Sequence, residues 1–66
     1  MQSNKQNGYL YSERGFVELY KFHYEAALKD FKVAESLHYD KMQCQSMIQF
    51  AQKAIDIEKR INEKTE

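Results

Sequence analysis

The chain has 66 residues, ten basic and ten acidic side chains, one cysteine, two glycines and no proline. These features exclude a multidomain chain, an internally disulfide-stapled fold and a strongly basic surface made to neutralise phosphates. A domain this short hides only about 60% of the surface its unfolded chain exposes, so dense helix packing or a partner has to supply its stability.

The lone Cys44 fits a reducing compartment. The longest apolar runs are three or four residues, far short of the ~20 that cross a bilayer. Met1 to Gly8 is polar and lacks the apolar centre of a secretory signal. A soluble, cytoplasmic chain without membrane contact is expected. Helix formers dominate and no alternating β-branched run occurs, so the fold class is all-α.

In chain order, residues 1–8 read as a flexible polar lead, although Ser3 with Gln6 offers a capping box for an earlier helix start. The apolar pattern of the first helix begins at Tyr9 and runs through Leu10, Phe16, Val17, Leu19 and Tyr20 to about Phe22. Those residues circle much of the helix, which calls for more than one neighbour. A turn is placed between Lys21 and Tyr24. One continuous helix to Leu37 is rejected, because the apolar phase breaks across His23 and both sets of aromatics would lie bare.

The second helix spans about Tyr24 to His38. Its stripe is Tyr24, Ala27, Leu28, Phe31 and Ala34 at three- and four-residue spacing. Ala27 and Ala34 are small enough to admit a neighbouring helix, and Phe31 fills the gap between them. A connection at 38–40 follows. Asp40 and Gln43 have the spacing of a capping box that opens the third helix, from about Lys41 to Asn62. Met47, Ile48, Ala51, Ala54, Ile55 and Ile61 form its stripe, a narrow face that packs on one side only. Residues 63–66 read as a frayed tail.

The run Ala27-Leu28-Lys29-Asp30-Phe31-Lys32-Val33-Ala34 resembles the second-helix signature of a tetratricopeptide repeat, Ala-x3-Phe followed three residues on by Ala. Counting back, Gly15 falls on that repeat's glycine, Tyr11 on its opening aromatic and Tyr24 on its turn aromatic. Arg14 stands where the family has Leu, Glu18 where it has Tyr, Phe22 where it has the turn glycine and Tyr39 where it has proline. The resemblance covers roughly Gly8 to Asp40. It implies an antiparallel helical hairpin over 9–39, followed over 40–62 by a capping helix, which the polar outer positions favour over the first helix of a further repeat.

Such repeats bind protein or peptide segments on a face built from first helices. The resemblance places Tyr9, Ser12, Phe16, Leu19 and Tyr20 on that face. Ser12 and Phe16 stand where the family's clamp for acidic peptide ends has Lys and Asn, so an apolar or extended segment is the expected ligand. The expected role is a protein-interaction module, an adaptor or scaffold. The alternative is a small homo-oligomerisation unit, because a single repeat leaves its first helix without a preceding neighbour. A helix-turn-helix reader of nucleic acid, using Lys21, Lys29, Lys32 and Lys41, is disfavoured by the neutral total.

No catalytic residue, cofactor or metal is expected. Cys44 has no glycine turn beside it, and His23 and His38 lie in connections without ligand-spaced partners. Two glycines cannot build a phosphate-binding loop. Cys44 reads as structural or surface, and both histidines as residues near helix C-termini.

Overall fold

The computed structural model describes the backbone of residues 4–64 and the side chains of 6–62. Three helices follow one another: α1 (Asn4–Tyr20), α2 (Tyr24–Ser36) and α3 (Lys41–Lys64). The all-α expectation holds. α1 and α2 form an antiparallel hairpin, α3 packs on the other side of α2, and contacts between α1 and α3 are sparse. The central helix is therefore the shortest, at 13 residues. The molecule is elongated, 53 × 19 × 12 Å, because the 24 residues of α3 extend about 36 Å, some 16 Å more than α2 can cover.

The core follows the small-large alternation of α2. Ala27, Phe31 and Ala34 are fully buried, together with Cys44 and Ala51 from α3, and Ile55 is nearly so. Phe31 fits because Gly15 lies opposite it. A Cβ on Gly15 would stand 2.9 Å from two atoms of the Phe31 ring, closer than carbon atoms tolerate. The edge of Phe16 meets the same ring, with centroids 5.1 Å apart. Seven residues earlier Gly8 repeats the arrangement, and a Cβ there would meet the Cβ of Tyr39 at 2.5 Å and the Ala34 carbonyl oxygen at 3.2 Å. Gly15 thus faces the Phe31 ring and Gly8 the Ala34 end of α2.

A difference lies at the N-terminus. The apolar pattern starts at Tyr9, but α1 begins at Asn4. Within the added turn Gly8 docks on the end of α2, and a glycine contact leaves no trace in hydropathy. Ser3 of the suggested capping box lies outside the described residues.

Both connections use one device. After α1, the Phe22 amide donates to the Leu19 carbonyl at 3.0 Å and the His23 amide to the Glu18 carbonyl at 2.8 Å. After α2, His38 donates to Glu35 at 2.9 Å and Tyr39 to Ala34 at 3.1 Å. These are paired Schellman bonds, which satisfy the last carbonyls and reverse the chain through one left-handed residue. That residue is Phe22 in the first turn and His38 in the second, each with φ of 64°. Glycine is the usual occupant, and a side chain there costs about 1–2 kcal/mol. α2 accordingly ends at Ser36, two residues before the expected end, because His38 has already left the helical region.

The capping box at α3 is half formed. The Gln43 amide donates to Asp40 Oδ1 at 3.2 Å. The Gln43 side-chain oxygen is instead buried without a hydrogen-bond partner, and Asp40 takes a φ of 36° rather than the extended backbone usual at this position.

Candidate interaction surfaces

One charged pair joins the two helices of the hairpin among the described residues. Asp30 of α2 is buried, and Arg14 of α1 reaches it with Nε and one terminal nitrogen, each 3.1 Å from a different carboxylate oxygen. The fork geometry fits a carboxylate edge-on. The hydrogen bond to Asp30 raises the Arg14 pKa, and the guanidinium also lies 5.5 Å over the Tyr11 ring. Arg14 in place of an apolar residue thus has its reason one helix away. The pairing was not legible in the sequence, because it joins residues 16 apart.

Cys44 is fully buried, and its thiol donates to the Tyr39 carbonyl at 3.1 Å. Burial, with the Asp40 and Glu35 carboxylates nearby, pushes its pKa up. The thiolate is therefore disfavoured, the opposite of what a nucleophile needs. His23 follows α1 and meets Glu18, Nδ1 to Oε1 at 2.8 Å. No group of three or more His, Cys, Asp or Glu among the described residues is placed to hold a metal ion. No helix among them is long and apolar enough to cross a membrane.

Surface apolarity is where the molecule departs from an ordinary small domain. Among the described residues Tyr9, Leu10, Val17, Tyr20, Phe22, Met42, Phe50, Ile57 and Ile61 are all exposed. Scattered apolar side chains are normal on a protein surface, whereas contiguous ones mark contact sites. Two groups here are contiguous.

The first lies along the hairpin. Asn7, Leu10, Tyr11 and Arg14 of α1, Val33 of α2 and Leu37 just after it line one open groove. Val17 continues the Leu10 side of α1 two turns on. The second lies on α3. Cys44, Ile48, Ala51 and Ile55 lie on the side that meets α2, and Met47, Phe50, Ala54, Ile57 and Ile61 form another stripe roughly 110° around the helix. Phe50 is 54% exposed, Ile57 47% and Ile61 56%. α3 packs on one side only, against α2, as expected, but its apolar arc is not narrow and extends past the face that α2 covers. Ile61, placed in the packed stripe by spacing, lies on the open one.

The five residues put forward on α1 are divided by the structure. Tyr20 is 82% exposed and Tyr9 is also exposed, with its ring edge-on to Tyr39 at 5.8 Å and its hydroxyl bonded to Glu13. Phe16 and Leu19 are half-buried, Phe16 through its contact with Phe31. Ser12 is 2% exposed, so its hydroxyl is not open to a ligand. It sits one turn from Gly15 and from Gly8, on the side of α1 that approaches α2 most closely. The two open aromatics of the set are eleven residues apart, about 16 Å along the helix. The groove of Leu10, Val33 and Leu37 was not proposed from sequence. Its signal was the apolar residues that circle α1.

Comparison with protein-family models, with curated proteins and with solved structures finds no match to this chain.

Proposed function

We propose that this chain is a protein-interaction module of the helical-repeat kind, an adaptor or scaffold without chemistry of its own. The observation that carries the reading is the unpartnered apolar surface on two sides of one small core: the groove beside Leu10, Val33 and Leu37, and the open stripe of α3. A helix apolar beyond its covered face needs a further neighbour.

Support for a tetratricopeptide-like repeat comes from its packing residues. Gly15 admits Phe31, Ala27 and Ala34 are buried beside it, and the chain turns through a left-handed residue at Phe22, where that repeat has glycine. In this reading α3 stands as the first helix of a following repeat, and its open stripe is the side on which a further helix packs. Tyr9, Phe16 and Tyr20 then offer aromatic anchors to a protein or peptide.

The test is a titration of the isotope-labelled chain with synthetic peptides, one set amphipathic helices and the other extended and aromatic-rich. Saturable amide shifts clustered on α1, around Tyr9, Phe16 and Tyr20 or around Leu10 and Leu37, are the expected result. No saturable shift with any peptide at about 1 mM, from a chain that also remains monomeric, overturns the reading. The second reading, self-association, is favoured by the α3 stripe.

A further inference from the structure

We propose that the open stripe of α3 is a seam for a second copy of this chain, with the two α3 helices running parallel. This rests on the reading of an interaction module and names its partner.

Met47, Phe50, Ala54, Ile57 and Ile61 recur at intervals of three and four, the spacing of a coiled-coil seam. α2 occupies the adjacent face and leaves Phe50, Ile57 and Ile61 of the seam exposed, with Met47 and Ala54 half-buried. The flanking charges select the occupant. With Met47, Ala54 and Ile61 as a positions and Phe50 and Ile57 as d positions, Lys53 and Arg60 fall at g and Glu58 at e. In a parallel pair, a g residue meets the e residue five places on in the other helix. Lys53 then meets Glu58 of the second copy, and two-fold symmetry makes the contact twice. An antiparallel pair sets g against g, which brings Lys53 against a basic g residue of the other copy, Lys53 or Arg60 according to register. Neither Lys53 nor Glu58 takes part in a salt bridge among the described residues. The seam is short, about 21 Å from Met47 to Ile61. The dimer is therefore expected at the weak end of specific interfaces, with Kd on the order of 10–100 µM.

The experiment is sedimentation equilibrium on the full chain from about 5 µM to about 1 mM. Lys53→Glu, Glu58→Lys, the double exchange, and an equimolar mixture of the two single variants are run alongside. The wild type is expected to move from monomer to dimer mass. Each single exchange should weaken association about threefold to tenfold, since it places like charges at both flanks. The double exchange should restore it, and the mixture should associate more tightly than either single variant alone. Ile57→Lys should abolish the dimer while leaving helix content unchanged, because Ile57 is already half exposed in one copy.

A wild-type monomer throughout the range overturns the proposal. So does a dimer that Ile57→Lys leaves intact, a dimer that Lys53→Glu strengthens, or association indifferent to all the charge exchanges. A monomer that still binds peptides along α1 overturns this inference alone. A monomer that binds none removes the interaction-module reading as well.

Discussion

The two sides of α2 are built on different terms. Towards α1 the contact is close and specific: glycine against an aromatic ring, glycine against a carbonyl, and one forked ion pair across the seam. Towards α3 it is an aliphatic face of Cys44, Ala51 and Ile55 that covers only part of a much longer helix. The first side has little tolerance for added or removed atoms. The second leaves apolar surface over. Stability is thus concentrated in the hairpin, while the capacity to hold a partner is spread over the outer faces.

The most direct way to break that contrast is to empty the hairpin core. Phe31→Ala should cost about 3–5 kcal/mol, enough to unfold a chain of this size, whereas Ile61→Ala should stay within about 0.5 kcal/mol. Thermal melts followed by circular dichroism compare the two. Equal losses would mean that α3 is as tightly bound as the hairpin.

A gentler probe adds one carbon. Gly15→Ala gains about 1 kcal/mol of helix propensity. Overpacking against Phe31 costs about 1–3 kcal/mol, so a net loss of up to about 2 kcal/mol is expected in urea unfolding. A net gain would show that the ring can yield.

The turns should respond in the opposite direction. Phe22→Gly removes a side chain from the left-handed region and should stabilise the chain by about 1 kcal/mol. This gain is reduced by the lost edge contact between Phe22 and Tyr24, whose centroids are 6.4 Å apart. His38→Gly lacks that loss and should gain slightly more. If Phe22→Gly destabilises, the exposed ring has a contact that the left-handed backbone serves.

The smallest effect lies on the α3 side. Burial raises the Cys44 pKa in the folded chain, so the native state keeps its proton where the unfolded chain loses it. Stability is then fully present below the ordinary thiol pKa of about 8.5 and falls as pH rises through it towards the folded value. Urea midpoints at about pH 7 and about pH 9.5 should show this decline, and Cys44→Ala should flatten it. Tyr9 contributes a slope of the same sign, since the hydrogen bond to Glu13 raises its pKa. The difference between wild type and Cys44→Ala isolates the thiol.

Local spacing carried the helical architecture. Three helices, the two connections, the buried positions of Ala27, Phe31 and Ala34, and the Asp40 cap all follow from periodicity and turn chemistry within a few residues. Such signals are short-range, and the helical period is fixed by the backbone itself. Tertiary contact decided the rest. Gly8 met the end of α2. Arg14 found Asp30 across the seam, Ser12 was closed off, and α2 proved too short to cover α3. Each of these depends on what stands opposite a residue, and periodicity along one helix does not specify the length or shape of its neighbour.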